Sequence, residues 1–264
     1  AGNVSVDGGT IKLDGNYPTG TNNVALGNTA LDSLTSGGYN TAIGTNALTA
    51  NTEGSGNVAV GYISLDALTT GNNNVAVGSE SLTDLTTGSF NTGVGDGAAA
   101  NTTTASNNSA FGSGSLLTNT TGANNTAIGK DALRANTTAS FNTAVGASAG
   151  IAITTGNDAT LMGFESGKAL TTGNENTGIG YRSLLAATTG SENTAVGHSA
   201  LAAVTTASFN TALGSNAGGS ITTGANNVAI GRLALDANTT ANNNSAVGYA
   251  SLTANTTGAN NVSM

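Results

Sequence analysis

A small residue, a large apolar residue and a glycine recur as a triplet along the chain with a spacing of 17 residues. The large residue is Leu26, Ile43, Val60, Val77, Val94, Phe111, Ile128, Val145, Met162, Ile179, Val196, Leu213, Ile230 and Val247, and the glycines run from Gly27 to Gly248 without a slip. Seventeen residues are too few for a pair of helices with loops. They suffice for one coil of a parallel β-solenoid with short strands and tight corners. Numbered from its asparagine, the unit reads N-T-A-V-G-x-x-A-L-x-x-x-T-T-G-x-x. This pattern predicts a first strand over positions 1 to 4, a second short strand or helical turn over positions 7 to 12, and a return corner at Thr-Thr-Gly.

Hydrophobic patterning assigns the interior. Position 4 is the most regular large apolar site and is expected to be buried once per coil. Position 9, usually Leu, and position 12 are further inward sites that exchange volume: Gly150, Gly167 and Gly218 at position 9 accompany Ile153, Leu170 and Ile221 at position 12. Alternation along a strand then turns the Ala at position 3 outward. Its restriction to small residues implies that another chain packs on it, with Leu161 as the exception.

Gly at position 5 is present in all fourteen complete units, implying positive φ or an approach too close for a Cβ. Position 15 accepts Ala105, Ala139, Ala207 and Ala241, so smallness rather than a left-handed backbone is expected there. Position 1 predicts a structural ladder of stacked amides: Asn23, Asn40, Asn57, Asn74, Asn91, Asn108, Asn125, Asn142, Asn176, Asn193, Asn210, Asn227 and Asn244. Ala159 interrupts it, and with Leu161 and Met162 beside it a local irregularity is expected over residues 158 to 163.

The fold class expected is all-β: a parallel β-solenoid, or β-roll, of about fifteen 17-residue coils over residues 23–264, preceded by a cap or connector at 1–22. Two or three medium aliphatics per coil make a thin core, and a homotrimer would enlarge it. Composition agrees with a thin periodic rod. The 264 residues include 39 Gly, one Pro and no Cys or Trp, with only 8% charged. Without Cys there is no disulfide framework or thiolate metal site. Six Lys plus Arg against fourteen Asp plus Glu give nucleic-acid binding no electrostatic basis. No apolar run approaches the ~18 residues of a membrane span, so membrane insertion is not expected.

Chemistry-bearing residues are sparse. His198, the sole histidine, falls at the freely varied position 6, where no Ser-His-Asp arrangement is available. The carboxylates change position from coil to coil, against the ligand in every coil or two that a calcium solenoid needs, so no metal or cofactor is expected. No catalytic residue stands out, and an enzyme is not expected. The Asn-Thr-Thr triplets at Asn101, Asn119, Asn136, Asn238 and Asn255 match the N-glycosylation pattern but also read as the turn phrase. Adjacent threonines at positions 13 and 14 point to opposite faces of an extended chain, which makes an ice-binding row a third choice.

Aromatic residues form two broken stripes, at position 17 (Tyr39, Phe90, Phe141, Phe209) and at position 6 (Tyr62, Phe164, Tyr181, Tyr249). They are candidate surface contacts for a sugar ring or a partner chain, or shields of the chain's own glycine-rich corners.

The phrases Asn40-Thr-Ala-Ile-Gly44, Asn142-Thr-Ala-Val-Gly146 and Asn193-Thr-Ala-Val-Gly197, followed by Ala-Leu and Thr-Thr-Gly, resemble repeats of YadA-like trimeric autotransporter adhesin heads. They resemble still more the repeat arrays of phage-type tail-fibre proteins. The resemblance spans residues 23–264, although adhesin heads use somewhat shorter units. It implies a trimeric segment on a cell or virion surface, presenting a stiff rod for attachment. Coiled-coil heptads, an anchor and a chaperone domain are expected to be absent or removed. The partners expected are copies of the chain itself, as a trimer or an end-to-end extracellular filament, and a surface glycan or receptor.

Overall fold

The computed structural model describes residues 20–264; the expected cap at 1–22 therefore lies almost wholly outside the described residues. Fifteen strands, from β1 (Val24–Leu26) to β15 (Val262–Ser263), form one parallel sheet in sequence order, β1 pairing only with β2 and each later strand with its neighbours in the chain. Every pair is offset by 17 residues, as in Thr126↔Thr143, Ala127↔Ala144 and Ile128↔Val145. The architecture is thus an all-β parallel β-solenoid of fourteen complete coils. At about 4.8 Å per strand spacing, β1 to β15 spans roughly 67 Å.

Each coil contains one strand, over positions 2 to 4. The expected second strand or helical turn is neither: positions 6 to 11 are a succession of turns. Its geometry rests on left-handed residues at positions 7 and 9, such as Asn46 (φ 59°) and Leu48 (φ 52°), with a third at position 17, such as Tyr39 (φ 61°). A non-glycine residue in this region costs roughly 1–2 kcal/mol. The alternation sends successive amides to opposite neighbours: Asn46 N–H donates to Asn28 in the preceding coil and Leu48 N–H to Ser64 in the following one. Backbone pairing with both adjacent coils is the return for that strain.

The interior differs from the expected one at the strand. Position 3 points inward, with Ala42, Ala59, Ala76 and Ala110 fully buried, while positions 2 and 4 point out. Position 4 is half-buried or exposed, so the most regular large residue is not a core residue. The reason is the thinness of the coil. A Cβ on Gly93, at position 3, would already lie 2.6 Å from Ser81 Oγ and 3.1 Å from both Ala98 O and Leu82 Cγ. The space behind the strand holds a methyl group and little more.

Leu at position 9 supplies the bulk: Leu48, Leu65, Leu82, Leu116, Leu133, Leu184, Leu201 and Leu235 are fully buried, each contributing about 1.5–3 kcal/mol. Position 12 adds Ile153, Leu170 and Ile221 in the coils with glycine at position 9, as expected from the volume exchange, whereas Leu68 and Leu85 are buried beside Leu65 and Leu82 without one. The two position-3 glycines show a second exchange. Each faces a serine whose hydroxyl donates to its carbonyl, Ser81 to Gly93 and Ser166 to Gly178, both at 2.9 Å.

All fourteen position-5 glycines have φ between 122° and 146°. Between Gly27 and Gly231 a Cβ would also strike the next glycine's backbone, so both reasons for glycine hold. Position 15 has no left-handed glycine among the described residues, in keeping with its tolerance of alanine. The irregularity expected around Ala159 is absent: strand β9 (Thr160–Met162) keeps the common register with both neighbours.

Candidate functional site

Three polar ladders run along the rod and consume much of its side-chain hydrogen-bonding capacity. At position 1, Asn74 Nδ2 donates to Gly88 O (2.9 Å), closing its own coil, while its Oδ1 accepts from Asn91 N (2.9 Å) and Asn91 Nδ2 (3.1 Å) in the next. The asparagines of the interior coils, Asn40 to Asn244, are buried, whereas Asn23 in the first coil is half-buried. Asn40, Asn57, Asn91, Asn108, Asn125, Asn142, Asn176, Asn193, Asn210 and Asn227 each donate through Nδ2 to the position-15 carbonyl of their own coil. Asn23 does the same to Gly37 O, and Asn244 bonds Asn227 Oδ1. Ala159 accounts for the one missing rung: its amide still donates to Asn142 Oδ1.

At position 13, Thr69 Oγ1 donates to Thr86 O and Thr86 Oγ1 to Thr103 O, a pattern that continues to Thr222 and Thr239. These hydroxyls are therefore turned to the backbone in the interior coils, where the threonines at position 14 stand exposed. A third ladder, at position 16, was not anticipated: Ser106 Oγ accepts from Ser89 N and Ser208 Oγ from Ser191 N. Its signal was present in the 17-residue recurrence of Ser and Asn at this position. Among the Asn-Thr-Thr asparagines, Asn119, Asn136 and Asn238 are buried and bond position-15 carbonyls, while Asn101 is exposed.

What remains free is the outward face of the sheet. Its position-4 row includes Leu26, Val77, Phe111, Ile128, Met162, Ile179, Leu213 and Val247, all exposed. No charged residue occupies position 2 or 4 in any described strand. Position 2 contributes hydroxyls in eight consecutive strands, Thr92 to Thr211. Both aromatic stripes border this face, and Tyr39, Tyr62, Phe90, Phe141, Phe164, Tyr181, Phe209 and Tyr249 are all exposed, Tyr249 at 71%.

The rings differ in what they offer. Phe164, Tyr181 and His198 stack along the rod, with centroids 5.6 and 5.1 Å apart and interplanar angles of 18° and 13°. The Arg182 guanidinium lies 5.0 Å from the Tyr181 centroid. Their facing surfaces are occupied by one another, leaving ring edges outward. Beneath them Glu165, only 9% exposed, accepts from Lys168 Nζ at 2.6 Å and Arg182 Nε at 2.7 Å. These bonds, that from Lys168 first, hold its carboxyl below the usual range, against the opposing effect of burial.

Carboxylates occur on both borders of the face, and cations on one of them. On its N-terminal side, position 17 carries Asp158, Glu175 and Glu192 in successive coils, all exposed. On its C-terminal side, positions 6 to 10 hold all five described cations, Lys130, Arg134, Lys168, Arg182 and Arg232, mixed with seven carboxylates, Asp32, Asp66, Glu80, Asp96, Asp131, Glu165 and Asp236. Among the described residues no group of three or more His, Asp or Glu is arranged to hold a metal ion, and no helix is long and apolar enough to cross a membrane. Comparisons with protein-family models, curated proteins and solved structures find no match to this chain.

Proposed function

We propose that this chain is a segment of an extracellular structural fibre or adhesin head. Its role is to provide length, stiffness and a repeated surface for attachment, and its outward sheet face packs against further copies, with a trimer favoured. The observation that carries this reading is the uninterrupted, uncharged row of large side chains at position 4. A row held to Val, Ile, Leu, Met or Phe in every strand, although it lies outside the core, is accounted for by burial in a larger assembly. Exposed apolar surface of this extent marks interaction sites. Adhesion itself would fall to the exposed residues outside the packed face.

Sedimentation of the purified protein tests the reading, together with electron microscopy for rod length. The expected particle is a short rod whose mass is a multiple of the 25.3 kDa chain. Ile179→Lys with Val196→Lys should reduce the mass to one chain while leaving the β-sheet circular dichroism signal in place. A wild-type rod of single-chain mass would remove the proposal.

A further inference from the structure

We infer that the position-17 row is a binding site for an extended, uncharged β-linked glycan, laid along the rod over Tyr39, Phe90 and Phe141. The inference rests on the attachment role proposed above and names what is attached, but it needs only one chain. Position 17 is left-handed in coil after coil, and Asn73 (φ 56°), Asn107 (φ 62°) and Asn124 (φ 59°) suit it, because asparagine tolerates that geometry. Tyr39 (φ 61°), Phe90 (φ 60°) and Phe141 (φ 63°) do not, since a bulky side chain is strained there. The left-handed leucines of position 9 are fully buried, whereas these rings are 67%, 60% and 60% exposed and add little to the core. Backbone and core would both be served by asparagine. The rings therefore answer to something outside the chain.

Spacing and surroundings specify the ligand. The rings stand three coils apart, about 14 Å at the strand spacing, with Gly56 and Asn73 and then Asn107 and Asn124 between them. An extended chain of β-linked pyranoses advances by nearly one strand spacing per sugar, so each coil faces one sugar and every third sugar meets a ring. Pyranoses present flat C–H faces that stack on aromatic rings, and hydroxyls that pair with amides. Exposed Asn73, Asn107 and Asn124 place amides at the intervening levels. Unlike Phe164 and Tyr181, none of the three rings is covered by another ring or a guanidinium among the described residues. Positions 15 to 17 and 1 to 4 carry no charge from Tyr39 to Phe141, and Asp158, Glu175 and Glu192 then continue the row, which disfavours a polyanion.

Calorimetric titration with the hexasaccharides of β-1,4-linked glucose and β-1,4-linked N-acetylglucosamine tests the site. At least one should bind, and its trisaccharide, too short to reach two rings, about tenfold more weakly. Phe90→Asn removes the central ring and installs a residue that its backbone prefers. It should weaken hexasaccharide binding about tenfold without lowering the unfolding midpoint. Tyr62→Ser, on the opposite border at a neighbouring level, should leave binding unchanged. Binding that survives Phe90→Asn intact, or no binding of either hexasaccharide, would overturn the inference. So would a lowered midpoint in both Phe90→Asn and Phe141→Asn, which would make the rings shields of their own coils. Tighter binding of hexagalacturonate than of either neutral probe would overturn the uncharged class. Binding confined to the single-chain variant Ile179→Lys/Val196→Lys would mean that a neighbouring copy covers the rings, overturning the glycan site but not the packed face. A single-chain mass for the wild type would fail the face reading alone, since the glycan site lies within one chain.

Discussion

The side chain of Leu161 occupies the space that a Cβ on Gly167 would need, since that atom would lie 2.8 Å from both Leu161 Cδ atoms. Gly150, one coil earlier, is similarly filled, with its Cβ position 2.9 Å from Leu161 Cδ1. Position 3 otherwise holds alanine or glycine in the complete units, and position 9 usually leucine. In this coil the large side chain enters from the strand, and the turn gives way. That exchange keeps β9 in register.

It also predicts a compensating pair. Leu161→Ala should cost about 2–5 kcal/mol through the cavity it leaves, and Gly167→Leu about 1–3 kcal/mol through overpacking. Combined, they recreate the common arrangement and should lie closer to wild type than either alone. Denaturant unfolding of the four proteins measures the coupling. Additive losses would mean that the two residues do not share a site.

Asparagine-ladder rungs should differ in strength. Asn74→Ala leaves Gly88 O without its side-chain donor and Asn91 N without its acceptor. Asn125→Ala removes equivalent bonds, but Ala139 O keeps the one from Asn136 Nδ2 at 3.0 Å. Both should be destabilising, by about 1–3 kcal/mol for the buried groups left unpaired, with the larger loss at Asn74. Midpoints of thermal unfolding would show the order.

Ala127→Leu separates the observed interior from the one expected from patterning. Ala127 is fully buried, and its coil already carries the buried Leu133 at position 9. The substitution should therefore cost about 1–3 kcal/mol within a single chain, whatever the state of assembly. Unfolding measured in the single-chain variant Ile179→Lys/Val196→Lys makes that test, and an unchanged midpoint would return position 3 to the surface.

Two carboxylates should respond to pH with opposite sign. Burial raises the Asp66 pKa above its ordinary 3.8, with the nearby Asp84 adding to the shift, and its Oδ1 has no hydrogen-bond partner. The folded chain then holds that proton more tightly than the unfolded one. A stability penalty develops as pH rises from 3.8 through the raised value. Asp66→Asn should be stabilising at neutral pH and neutral below 3.8. Glu165 is held below its ordinary 4.5 by Lys168 and Arg182, so its contribution is present above 4.5 and lost as pH falls through the depressed value. Glu165→Gln should be destabilising at neutral pH and nearly silent in acid. Unfolding midpoints across this range test both signs.

The 17-residue period by itself determined the coil, the parallel register, the glycine at position 5 and the asparagine at position 1. These follow because a stacked coil places each residue on its own equivalent, so one steric or hydrogen-bonding demand is repeated fourteen times. The sharing of volume between positions 9 and 12 was legible for the same reason. Only the tertiary structure decided which side of the strand is inside. Patterning assumes that the largest apolar residue seeks the interior, but the turn from positions 6 to 11 crosses so close behind the strand that little more than a methyl group fits wherever position 9 carries leucine. The valines and isoleucines of position 4 are consequently turned outward, and leucines on a left-handed backbone fill the core. Left-handed residues at positions 7, 9 and 17 were equally hidden, because their side chains do not specify that geometry. The bonds of their amides to adjacent coils do.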